Sequence, residues 1–143
     1  GPQALTSDRG WDTFQHYDLL VDVIGLLKSV GTRVSIFVDA DERFVEGAKA
    51  VGADRIEFYT GHYAKEFLKN PSQAVASHVR CAKLAVELGL GVNAGHDLNL
   101  KNLNYYKTQV EGLQEVSIGH ALVCDALYYG LQNTIQMYLR QLR

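Results

Sequence analysis

Proline is scarce in this sequence. Pro2 and Pro71 are the only two in 143 residues, so the interior has few hard chain breaks. Cysteine is as rare. Cys81 and Cys124 lie far apart with no neighbouring cysteine and no metal-ligand spacing, and they read as free thiols of a reducing cytoplasm. Excess charge is missing too. A formal net charge of −2 with 21% charged residues gives no electrostatic case for a nucleic acid or an anionic membrane as partner. The apolar runs are a few residues long, far short of a bilayer span, and the polar amino end does not read as a signal peptide. There is no Gly-x-Gly-x-x-Gly run and no phosphate-loop lysine signature. No two histidines fall at a metal spacing with a carboxylate, so no metal is expected. What remains is 47% hydrophobic, enough for one globular unit over residues 1–143.

Long amphipathic runs alternate with short β-branched runs. Helical spacing joins Phe14, Tyr17, Leu20, Ile24 and Leu27 and stops before Gly31. Residues 33–38 read as a strand, Asp41 as the cap of the next helix, and Phe44, Val45, Ala48 and Val51 as its apolar face. Residues 55–59 form the second strand. A long loop is expected over 60–72, and its length marks it as a possible functional loop. Val75, Val79, Ala82 and Val86 make a further helical stripe, residues 90–94 a third strand, 101–109 a weak helix and 115–118 a fourth strand. One last helix is expected from about Ala121 to the end, with Leu127, Leu131, Ile135, Tyr138 and Leu142 inward. Four consecutive βα units imply an α/β fold with a parallel sheet and right-handed crossovers. An open doubly wound sheet fits, and so does part of a (β/α)8 barrel, which needs about 250 residues when whole.

Either architecture places chemistry at the carboxyl ends of the strands. Asp39, Asp41 and Glu42 after the first strand suit helix capping. Glu57 stands between Ile56 and Phe58, and a carboxylate inside an apolar strand is costly without a partner. Alternation puts Arg55, Glu57 and Tyr59 on one face, so Glu57 is either an ion pair of Arg55 or a functional carboxylate. Gly95-His96-Asp97 and Gly119-His120-Ala121 close the third and fourth strands. Glycine admits close backbone approach, imidazole titrates near neutral pH, and a helix beginning at the second pair offers backbone N–H groups to an anion. Two such pairs on consecutive strands suggest a phosphate ester held beside an acid–base histidine. His16, His62 and His78 carry less weight: His16 reads as helix surface, His78 as helix surface or packing, and His62 sits on the long loop.

The segments Leu5-Thr6-Ser7-Asp8-Arg9-Gly10-Trp11-Asp12, Val34-Ser35-Ile36-Phe37-Val38-Asp39-Ala40-Asp41 and Ile56-Glu57-Phe58-Tyr59-Thr60-Gly61 carry a resemblance. So do Val92-Asn93-Ala94-Gly95-His96-Asp97-Leu98 and Val116-Ser117-Ile118-Gly119-His120-Ala121-Leu122. In this order and spacing the chain resembles the pyridoxine 5'-phosphate synthase family, which closes the vitamin B6 ring. The resemblance implies a (β/α)8 barrel in the cytoplasm that condenses 1-deoxy-D-xylulose 5-phosphate with 3-amino-2-oxopropyl phosphate. The products would be pyridoxine 5'-phosphate, phosphate and water, with no cofactor. It implies Glu57 as the group that stabilises transition-state charge, His96 as proton donor, Thr6 and Asp97 as substrate contacts, and Gly119 and His120 as phosphate binders. Asp97 stands where the family carries glycine. Residue chemistry alone leaves the roles of His96 and His120 interchangeable.

The same resemblance aligns the chain with the carboxyl-terminal half of the barrel, after its fourth strand. Strands one to four, with a further catalytic histidine and glutamate and phosphate-binding arginines, would then lie elsewhere. A sheet of four such strands has two unpaired edges, so self-association or pairing with the other half is expected, and no synthase activity from this chain alone. The competing readings are a non-catalytic, self-associating phosphate-binding half-barrel and another phosphate-handling barrel enzyme. No lysine sits inside the four expected strands to form a Schiff base for the latter.

Overall fold

The computed structural model describes residues 7–143. Their elements run α1 (Tyr17–Ser29), β1 (Ser35–Val38), α2 (Glu42–Ala50), β2 (Arg55–Tyr59), α3 (Gly61–Phe67), α4 (Pro71–Glu87), β3 (Gly91–Gly95), α5 (Leu103–Gln109), β4 (Leu113–Ser117), α6 (His120–Tyr129) and α7 (Leu131–Gln141). The strands pair in parallel in the order β1-β2-β3-β4. The α/β fold with a four-stranded parallel sheet is as expected.

Local chemistry sets most boundaries. The Asp41 carboxylate accepts the Arg43 N–H at 3.0 Å and opens α2. Asn70 does the same for α4 through Gln73, with Pro71 in the first turn, where its missing N–H costs nothing. Gly52 and Gly89 take positive φ just beyond α2 and α4, a conformation open to glycine at little cost.

One sheet face is dry. Ile36, Val38, Ile56, Phe58, Val92 and Ala94 alternate onto it and are buried against Val45 and Ala48 of α2, Val75, Ala82 and Ala85 of α4, and Leu103 and Tyr106 of α5. The other face is polar. The register aligns Phe37, Glu57, Asn93 and Glu115 in one row across the sheet. Beneath that row Arg55 donates to Asn93 Oδ1 at 3.1 Å and to Gln114 Oε1 at 2.6 Å. Asn93 donates in turn to Glu115 at 3.0 Å. Arg33, just ahead of β1, reaches Glu115 of β4 at 3.2 Å. That contact crosses three strand spacings, about 14 Å in a flat sheet, and a curved sheet shortens it.

Four expectations are corrected. Residues 60–72 are not a long loop, because α3 and the start of α4 occupy them. Strand β4 begins at Leu113, ahead of the expected residue 115. A register shift between Val92 and Asn93 leaves Gln114 bulged against β3, and such an extra residue breaks the alternation that marks a strand. The last helix is two helices, parted at Gly130 with φ 77°. Of its expected inward residues only Tyr138 is buried and Leu142 partly so, while Leu127, Leu131 and Ile135 are exposed.

Candidate active site

The carboxyl ends of the strands open onto one cleft of about 1270 Å³. Glu57, His96, Asp97, Gly119 and His120 all line it, so five of the six expected site residues meet. Thr6 lies outside the described residues, although Ser7 beside it lines the same cleft.

Glu57 projects from the middle of β2 on the polar face. The ion-pair alternative does not hold, since Arg55 turns to Glu115 at 3.5 Å and to the neighbouring amides. Gly95 makes room for the Glu57 carboxylate. A Cβ on Gly95 would overlap Glu57 Oε1 and press on Ser117 of β4, so the glycine before His96 is a packing requirement of the glutamate.

His96 and Asp97 both take positive φ, 91° and 57°. Aspartate tolerates the left-handed region better than most residues, whereas for His96 it is uncommon. Two consecutive non-glycine residues in that region mark a turn held by its surroundings. Buried Thr60 holds it. Its N–H and its hydroxyl approach the Gly95 carbonyl at 2.9 and 2.7 Å, and the hydroxyl also meets the His96 carbonyl. His96 Nδ1 lies 3.1 Å from Asp97 Oδ2, which turns the Asp97 carboxylate toward the imidazole. The His96 ring also meets the Tyr59 ring edge-on, at 5.0 Å between centroids.

Tyr59 gathers this end of the site. Besides His96 it contacts Phe37 and His62 at 5.7 Å each, which brings His62 of α3 close to the site. Burial pushes the Tyr59 hydroxyl pKa up, and the Asp97 and Asp39 carboxylates add to it. The phenol therefore stays neutral over the ordinary pH range. His120 opens α6 on the far side, with Gly119 as its N-cap, and the first turn of that helix has N–H groups without intrahelical partners. The segment before α1 crosses above β1. Gly10 N–H faces Asp39 Oδ2 at 3.4 Å, Trp11 N–H donates to the Phe37 carbonyl at 2.7 Å, and a side chain at Gly10 would strike the Val38 backbone. Arg9 and Trp11 thereby reach the cleft. Sequence reasoning placed Tyr59 on the face of Glu57 but passed over its contact with His96. It also missed Thr60, whose role exists only through the fold of β3 beside β2.

A carboxylate, two imidazoles and a helix start around one cleft supply acid–base groups and an anion cradle at once. The sequence profile described as "Pyridoxal phosphate biosynthesis protein PdxJ" matches residues 1–143. The chain belongs to this family. It is 56% identical over 140 residues to the pyridoxine 5'-phosphate synthase of Christiangramia forsetii, covering 98% of this chain and 59% of that protein. Identity is 55% to the enzyme of that name from Cytophaga hutchinsonii, again over 98% of this chain and 59% of the relative. It is 51% to that of Bacteroides thetaiotaomicron, over 99% and 60%. The chain thus spans about three fifths of the length of these relatives. No helix among the described residues is long and apolar enough to cross a membrane.

Proposed function

We propose that the four described strands form half the wall of a (β/α)8 barrel and that the assembled barrel is a pyridoxine 5'-phosphate synthase of the cytoplasm. The barrel joins 1-deoxy-D-xylulose 5-phosphate to 3-amino-2-oxopropyl phosphate and releases pyridoxine 5'-phosphate, phosphate and water. The observation that carries this reading is the meeting of Glu57 of β2 with His96, Gly119 and His120 beyond the carboxyl ends of β3 and β4 in one cleft, together with relatives of that name. Ring closure needs an imine, proton transfers, and loss of phosphate and of water. Those steps call for placed acids and bases and an anion cradle. His96 gives up the proton, and the Asp97 carboxylate at its Nδ1 orients the imidazole. Glu57 sets a negative charge beside the positive charge that develops during imine chemistry. Gly119, His120 and the first turn of α6 hold a phosphate, and Thr6 and Asp97 border the substrate.

The other four strands, with the remaining acid–base groups, come from residues outside this sequence. This chain by itself then forms no product. Purified chain incubated with both substrates and assayed for pyridoxine 5'-phosphate by mass spectrometry should show none, and turnover would contradict the assignment of catalytic groups to the other half.

A second reading is a non-catalytic, self-associating phosphate-binding module. It is favoured by the large exposed apolar side chains of α1, α6 and α7, among them Leu26, Leu127 and Tyr128. Phosphate binding without synthase activity in the assembled barrel would select it.

A further inference from the structure

Resting on the reading of His96 as the acid–base imidazole, we propose that Thr60 and Tyr59, consecutive at the end of β2, are the positioning residues that fix the His96 ring in the cleft. Thr60 acts on the backbone. Its N–H donates to the Gly95 carbonyl at 2.9 Å, and its single hydroxyl proton is shared between that carbonyl, at 2.7 Å, and the His96 carbonyl. That bond anchors a histidine at φ 91°, a conformation that would otherwise relax toward negative φ. Thr60 is completely buried, so water cannot replace the hydroxyl. Tyr59 acts on the side chain. Its ring meets the imidazole edge-on at 5.0 Å and an interplanar angle of 72°, a favoured aromatic geometry.

Tyr59 is itself immobilised. Phe37 lies on one side and His62 on another, and its hydroxyl end fills the space where a Cβ of Gly61 would stand. Backbone and ring of His96 are thus held by two adjacent residues of the neighbouring strand, and Asp97 Oδ2 at Nδ1 completes the orientation. Displacement of a reacting group by about 1 Å costs on the order of a hundredfold in rate, which is the scale at which such a clamp matters.

The test is histidine ring nitrogen NMR on this chain, with His96→Gln assigning the resonance. The expected spectrum has two well-separated His96 ring nitrogens, a single tautomer, and cross-relaxation between the Tyr59 and His96 rings. Thr60→Val should average the two nitrogen shifts, and Thr60→Ser should restore them. Tyr59→Leu should have the same effect as valine at 60, while Tyr59→Phe should leave the pattern intact. In the assembled enzyme Thr60→Val should lower kcat by roughly ten- to a hundredfold with KM nearly unchanged. A folded Thr60→Val or Tyr59→Leu chain with an unaltered His96 spectrum overturns the proposal. If valine at 60 prevents folding, the Tyr59→Leu spectrum decides by the same criterion. Full turnover by His96→Ala would instead remove the acid–base reading, and it would leave the ring spectra of the chain untouched.

Discussion

At the scale of single residues, two pairs decide how the interior behaves. Glu57 and Gly95 are the first. Because a Cβ at 95 would fall on the Glu57 carboxylate, Gly95→Ala should displace that carboxylate while β3 stays paired. In the assembled enzyme the expected outcome is a kcat loss of at least about tenfold with a near-native melting curve, and steady-state kinetics beside calorimetry would check it. The second pair is His78 and Tyr106. The tyrosine hydroxyl lies 2.9 Å from His78 Nδ1 inside a cluster with Phe58 and Tyr63. Burial, with a smaller contribution from His62, lowers the His78 pKa to about 4. The unfolded chain takes up this proton near pH 6.5 and the folded chain only near 4. Stability is therefore complete above about pH 6.5 and falls through the window down to about 4, by about 3 kcal/mol from this group. Urea denaturation midpoints measured at pH 7 and pH 4.5 should show the loss. His78→Gln should flatten it, and an unchanged slope in that variant would refute the assignment.

At the scale of elements, the sequence was most legible where period and punctuation agree. Asp41, the alternating run of β2 and the Gly-His pairs ending β3 and β4 all announce themselves within a few residues. The misreadings have local physical causes. The extra residue at Gln114 hides the start of β4. Gly130 breaks one amphipathic stripe into α6 and α7, since a single glycine in a helical pattern is a weak stop signal. Helix α3 escaped because Gly61 and His62 open its seven residues without a capping side chain. The Thr60 clamp escaped because its partners are 35 and 36 residues away. Gly130, at φ 77° and ψ 144°, holds a backbone conformation that a side chain tolerates poorly. Gly130→Ala should destabilise the chain by about 1–3 kcal/mol, visible in the midpoint of chemical unfolding. Asp41→Ala, by loss of the α2 cap, should cost about 1 kcal/mol.

At the scale of the whole molecule, one face of the sheet is finished and the rest is open. Helices α2, α4 and α5 cover the dry face. Strands β1 and β4 each pair on one side only within the described sheet, and unpaired parallel edges recruit further strands. The Arg33–Glu115 contact spans the polar face, and α1, α6 and α7 carry large exposed apolar side chains. An isolated chain should therefore self-associate, and light scattering should report a mass above 15.9 kDa. A strictly monomeric chain at tens of micromolar would argue that these edges are already satisfied.

On the proposed reading this cleft is the acid–base and phosphate half of a synthase site. That reading is tested most directly by pyridoxine 5'-phosphate formation in the assembled barrel that contains this chain, with and without His96→Ala. Product is expected from the unaltered barrel, with a loss of at least about a hundredfold in the variant. Equal turnover by both would contradict it.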